Sequence, residues 1–106
     1  GEARSKARQA KLQWEQARRQ AELDIRDAHA QLQAELARRE ALKAALDASE
    51  ENYRLQAEEY RLSLVSNLDV LVALEQLQDA RRDWIEARHE AARRFWALQL
   101  AAGQIP

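Results

Sequence analysis

Tyr60-Arg61-Leu62-Ser63-Leu64-Val65-Ser66-Asn67-Leu68-Asp69-Val70-Leu71-Val72-Ala73 separates a very long helical pattern from a shorter one. Ser66 and Asn67 are the best helix-start residues between Ala3 and Gly103, since a short side-chain oxygen accepts from an orphan amide of a first helical turn. Asp69, three residues after Ser66, completes an acidic capping box: a hydroxyl serves the third amide and a carboxylate reaches back. Tyr60 ends the first pattern and Val70-Leu71 opens the second, so the stretch reads as the tip of an antiparallel hairpin. The expected elements are a helix over about 2–64, a tip at about 65–67 and a helix over about 67–102, forming one helical hairpin over 1–106. The fold class is all-α: a long antiparallel two-helix coiled-coil hairpin with a long first helix and a shorter second one.

Composition agrees. Two glycines and one proline in 106 residues, with Ala, Leu, Glu, Gln and Arg dominant, argue for almost unbroken helix. The 17 basic and 18 acidic residues are interspersed and leave a net charge of −1, which makes no electrostatic case for nucleic acid or an anionic membrane. The chain has no cysteine, which removes disulfides, thiolate metal sites and cysteine nucleophiles together. No apolar run approaches the roughly 18 residues a spanning helix needs, and no signal peptide is present. The absence of methionine reads as a segment excised from a longer protein.

Within the first pattern, Ala3, Ala7, Ala10, Trp14, Ala17, Ala21, Ala28, Leu32, Leu42, Leu46, Ser49, Tyr53, Tyr60 and Leu64 step by threes and fours, a heptad seam that Asp24 and Arg39 interrupt. A second stripe runs beside it: Leu23, Ala30, Ala34, Ala37, Ala41, Ala44, Ala48, Leu55 and Leu62. Two narrow, alanine-rich seams suit a stave in a closed ring, with a neighbour on each side. They equally suit the broad face of a helix in an ordinary bundle. The second helix carries Val70, Leu74, Leu77, Arg81, Trp84, Arg88, Ala91, Phe95, Leu98 and Ala102 as its seam, with Arg81 and Arg88 burying stems and keeping their heads wet. Gly103 is placed to close that helix and Pro106 lies beyond it.

A turn near Val65 pairs residues whose numbers sum to roughly 131, so Tyr60 faces Leu71, Leu46 lies near Ile85 and Ala102 near His29. Glu2–Ala28 then has no partner, and its apolar face, with Trp14, predicts fraying or association through that third of the chain.

No constellation carries chemistry. His29 and His89 stand among the ordinary charged neighbours of a solvated face (Asp24, Asp27, Glu86 and Glu90), with no His-Glu-x-x-His, so no metal site is expected. Ser5, Ser49, Ser63 and Ser66 lack a base, an orienting group and a cleft, so neither a catalytic site nor a cofactor is expected. Trp84, Phe95 and Trp96 read as an aromatic packing cluster. Charged pairs such as Glu22–Arg26 and Glu90–Arg94 read as helix-surface ion pairs.

Tyr60-x-x-Ser63-x-x-Ser66-x-x-Asp69-Val70-Leu71-x-Ala73, followed by Leu77, Asp79-Ala80-Arg81, Ala87-Arg88 and a closing Ala101-Ala102-Gly103, resembles the outer-membrane efflux proteins of the TolC type. The resemblance covers Glu51 to Gly103; Gly1 to Glu50 shares only length and richness in Ala, Gln and Arg. The family usually has Gly at the position of Ser63, and commonly an acidic residue or Gln at that of Val72.

The resemblance implies the lower helix pair of a periplasmic tunnel, from the second of two internal repeats. It implies a passive conduit in a tripartite efflux or type I secretion system, without chemistry of its own. The full-length parent would be a homotrimer, joined to the outer membrane through a barrel absent from this chain. A periplasmic adaptor protein would dock on the tips, and an inner-membrane pump would drive transport. By the same resemblance Asp69 rings the closed entrance and favours cations, while Tyr60 and Arg61 hold the closed tip together. Ser63, Leu64, Val65 and Ser66 would meet the adaptor, and opening would be an untwisting of helix pairs.

Two other readings stand beside it. A periplasmic adaptor also has a long hairpin, but neither Arg54 nor Arg61 has the Leu four residues on that its tip shows. A structural coiled-coil scaffold with no transport role fits the composition, although equal helices would suit it better than this long-short pair.

Overall fold

The computed structural model describes residues 1–104; Pro106, expected just beyond the second helix, lies outside them. There are two helices, α1 (Glu2–Arg61) and α2 (Asn67–Ala102), and no strand among the described residues. They run antiparallel, a long first helix and a shorter second one, as the sequence pattern predicts. Contacts group the chain into two compact units, residues 35–91 around the tip and residues 1–34 with residues 92 onward.

The first helix ends at Arg61, three residues before the expected Leu64, and the tip spans residues 62–66 rather than 65–67. Ser63 is the reason. Its φ of 62° is left-handed, which no helix continues through. The chain turns out of α1 by two bonds that satisfy its last carbonyls: the Ser63 amide donates to Tyr60 O at 2.9 Å and the Leu64 amide to Glu59 O at 2.8 Å. This is the paired closure that a glycine commonly makes, here made by serine.

In the unit around the tip, α2 buries Ala73, Leu77, Ala87 and Ala91. Val70, Leu74, Ala80 and Trp84 are half-buried beside them. The seam therefore runs through Val70, Ala73, Leu77, Ala80, Trp84, Ala87 and Ala91, not through Arg81 and Arg88, which are exposed. The two stripes share Val70, Leu77, Trp84 and Ala91 and differ by one position at every second step. Alanine wins those steps for two reasons. It lets the helix backbones approach closely, and it spares the desolvation of two guanidinium groups that the other stripe requires. From α1 this unit contributes buried Leu46, with Leu42, Ser49, Tyr53, Gln56 and Ala57 half-buried. Arg39, at an expected seam position, is exposed.

Cross-helix contacts here are Lys43 over the Trp84 ring at 5.0 Å and Glu50 with Arg81 at 4.0 Å. Glu50–Arg81 keeps the expected sum of 131. Lys43–Trp84 falls four short of it, as an earlier turn requires.

The other unit has Leu32 buried and Ala21, Ile25 and Ala28 half-buried on α1, facing a run of α2 in which Arg94, Leu98 and Ala101 are half-buried. Ile25, which neither expected stripe included, takes the place of Asp24. Arg94 Nη1 donates to Gln31 Oε1 at 2.5 Å across the pair. Phe95, expected in the seam, is 43% exposed, with Trp96 edge-on at 5.3 Å; Ala102 is exposed too. The expected aromatic cluster is thus separate pieces: Phe95 with Trp96, and Trp84 between Lys43 and Arg88, the latter at 4.7 Å.

Glu2–Gln20 is helical yet exposed throughout, apart from half-buried Glu15. The unpartnered length is shorter than the expected Glu2–Ala28 because contact begins at Ala21. At the other end Gly103 does not reverse the chain. Its amide still bonds Gln99 O at 3.1 Å, the ordinary helical spacing, and no glycine has positive φ.

Every member of the second stripe is exposed: Leu23, Ala30, Ala34, Ala37, Ala41, Ala44, Ala48 and Leu55 on α1, and Leu62 just beyond it. Among the described residues the buried apolar ones are Leu32, Leu46, Ala73, Leu77, Ala87 and Ala91. Three of them are alanines, so the core is slender and single seam residues carry much of the stability.

Candidate functional site: the hairpin tip

The tip is built by two opposed caps. On the entering side, Ser63 holds the left-handed turn. On the leaving side, the Asp69 amide donates to Ser66 Oγ at 3.3 Å, and the Ser66 amide and hydroxyl donate to Asp69 Oδ2 at 2.8 and 2.9 Å. The capping box read from the sequence is thus formed in full, and it explains why α2 begins at Asn67. These bonds, the Ser66 amide first and its hydroxyl second, hold the Asp69 carboxyl below its ordinary value of 3.8. Asp69 is fully solvated. It also sits in the first turn of α2, where the helix dipole favours a negative charge.

The sign of the pH dependence follows. Asp69 titrates lower folded than unfolded, so its contribution is whole above the unfolded pKa and is lost as pH falls through the folded one. Asp69→Asn is therefore expected to melt below the parent at neutral pH, with the gap narrowing below about pH 4. Circular-dichroism melts of both chains across that range read it directly. A gap independent of pH would remove the charge from the cap.

Ser63 gives a prediction of the opposite sign. A left-handed non-glycine residue costs roughly 1–2 kcal/mol, part of which glycine returns as extra freedom in the unfolded chain. Ser63→Gly is expected to stabilise the hairpin by about 0.5–1 kcal/mol in urea unfolding. Ser63→Val is expected to lose stability, because a β-branched residue fits that conformation worst.

Of the other tip residues, Tyr60 is about half exposed (49%). Arg61 forms a two-pronged pair with Glu58, its Nε 3.0 Å from Oε2, and this pairing lowers the Glu58 pKa. Two turns earlier Arg54 and Glu51 repeat the arrangement, with Nε 3.0 Å from Oε2 and the Glu51 pKa lowered. Both pairs are solvated, so they order side chains more than they stabilise the fold. Leu62, Leu64 and Leu68 project from the tip at 54%, 70% and 67% exposure, while Val65 is half-buried. Tyr60, Arg61, Asp69 and Ser63–Ser66 are thus together at one end, most of them open to solvent.

Asn52, Gln56 and Gln76, which drew no notice in the sequence, line a shallow groove with Leu68, Asp69, Val72 and Ala73. Gln56 Oε1 is buried there with no hydrogen-bond partner among the described residues. The signal was present, since Gln56 continues the heptad through Ser49 and Tyr53, but a polar residue in a seam escapes a search for apolar ones.

Away from the tip nothing assembles. His29 and His89 are exposed, and no group of three or more potential metal ligands occurs among the described residues. Glu22 pairs with Arg18 at 3.3 Å rather than with Arg26. No described helix is long and apolar enough to cross a membrane. Compared with protein-family models, curated proteins and solved structures, the chain matches none.

Proposed function

We propose that this chain is a periplasmic tunnel segment of an outer-membrane efflux or secretion channel, a passive conduit in a tripartite or type I system. The observation that carries the reading is the pair of seams on α1. One seam is used by α2, while a second, rich in alanine, is exposed along the same helix from Leu23 to Leu55. A helix with one close-packing face used and another offered fits a stave with a neighbour on each side. The resemblance around Tyr60–Ala73 supplies the rest: a homotrimer in the full-length parent, anchored by a barrel outside this chain, with an adaptor docked on the tips and an inner-membrane pump behind it.

In this reading the Asp69 carboxylates gather at the closed periplasmic entrance. They remain ionised there because the capping bonds favour the charged form. Arg61 would exchange its bond to Glu58 for one to a neighbouring copy when the tip closes, and Tyr60 lies beside it to share that link. Ser63, Leu64, Val65 and Ser66 present the turn to the adaptor.

The test is conductance of the full-length parent in a planar bilayer, with Asp69→Asn as the variant because it keeps an acceptor for the cap. The expected result is a low-conductance, cation-preferring pore whose preference weakens in the variant. A folded parent that forms no pore would sink the reading and leave the adaptor or scaffold hairpin.

A further inference from the structure

Charge is unevenly placed along this nearly neutral chain. Glu2–Arg19 holds six basic and two acidic residues, whereas Leu62–Ala80 holds three acidic residues and no basic one. Each of the two segments also exposes an apolar stripe. On the first, Ala3, Ala7, Ala10, Trp14 and Ala17 form a heptad seam that meets no other helix, with Trp14 48% exposed. Arg4, Lys11 and Arg18 recur every seven residues along one edge of that seam, the flanking position that selects a partner's charge in a coiled coil. Neither Arg4 nor Lys11 forms an ion pair among the described residues, and Arg18 pairs with Glu22 while its guanidinium lies over the Trp14 ring at 5.5 Å.

The acidic segment offers the matching surface. Leu68, Leu71 and Val72 are 67%, 48% and 44% exposed on the outer side of α2. Glu75 and Asp79 continue that side at helical spacing and are exposed as well. Asp79 pairs with Arg82 at 3.3 Å, and Glu75 has no ion pair among the described residues.

We infer that the basic N-terminal arm of one copy docks on the acidic outer face of α2, Leu68–Asp79, in a second copy. Charge selects this pairing over its rivals. Two arms side by side would oppose like charges along the whole seam, and so would two acidic faces. An anionic membrane is a poorer occupant, because beyond alanines the arm offers only Leu12 and Trp14 as large apolar groups. The contact goes beyond the tunnel reading and does not rest on it, and it is tested on the 106-residue chain itself.

Light scattering after size exclusion should show at least twice the monomer mass in low salt, and a return toward monomer near 0.5 M salt, where screening is strong (about 4–5 Å). Arg4→Glu with Lys11→Glu and Arg18→Glu should leave a helical monomer, as should Glu75→Lys with Asp79→Lys. Mixing the two reversed chains should restore a complex whose mass equals one of each or a multiple. Arg26→Glu with Arg38→Glu and Arg39→Glu, which changes net charge by the same amount elsewhere, should leave association intact. A chain that is monomeric at every salt concentration would overturn the inference. So would self-association indifferent to the arm and face reversals, association lost equally in the control, or a monomer whose arm instead carries it onto anionic vesicles.

Discussion

Leu46→Ala is expected to cost the hairpin about 2–3 kcal/mol, the lower half of the range for a buried leucine because two helices can partly close over the gap. Leu46 is 3% exposed and one of two leucines that α1 buries, the other being Leu32. An ordinary domain has only about 5–15 kcal/mol in hand, and a two-helix seam with six buried residues lies at the low end. Urea unfolding followed by helical signal should show the midpoint fall with little change in slope. Leu55→Ala, on the exposed second stripe (44%), is the control and should shift stability by no more than about 0.5 kcal/mol. Equal losses from both would mean that the second stripe is covered in solution.

Ala87→Leu carries the second large effect, in the opposite steric sense. Ala87 is 0% exposed, the most completely buried residue of α2. Three added carbons have no room there and push the helices apart, at about 2–3 kcal/mol. Helix propensity does not offset this, since alanine and leucine differ by only a few tenths of a kcal/mol. The neighbouring position separates the two possible registers. If α2 buried the stripe through Arg81 and Arg88, Arg88→Leu would fill a core site and stabilise. With Arg88 outside and stacked on Trp84 at 4.7 Å, the same change instead loses about 0.5–1 kcal/mol of cation–π attraction. A stable Ala87→Leu beside a stabilised Arg88→Leu would overturn the alanine seam.

The tip shows how far residue patterns reach. Ser66 and Asp69 were legible as a capping box because the whole motif lies within four residues and its hydrogen bonds need no distant partner. The opposite cap was not legible. Serine at position 63 gives no local warning of a left-handed turn, so α1 was expected to run to Leu64 instead of ending at Arg61. The resemblance to a family with glycine at that position was the only hint.

Composition and periodicity by themselves determined an all-α chain, two helices of unequal length, the direction reversal near Val65, the start of α2 and an apolar first seam on α1. All of these depend on interactions between residues a few positions apart, or on the near absence of glycine and proline. Only the tertiary structure decided which edge of α2 meets α1. Val70, Leu77, Trp84 and Ala91 belong to both candidate stripes, and the choice between Ala73–Ala80–Ala87 and Leu74–Arg81–Arg88 depends on how closely two backbones can approach. Interhelical distance is a property of the pair. No pattern along one helix contains it, and the alanine seam on α2 follows from it.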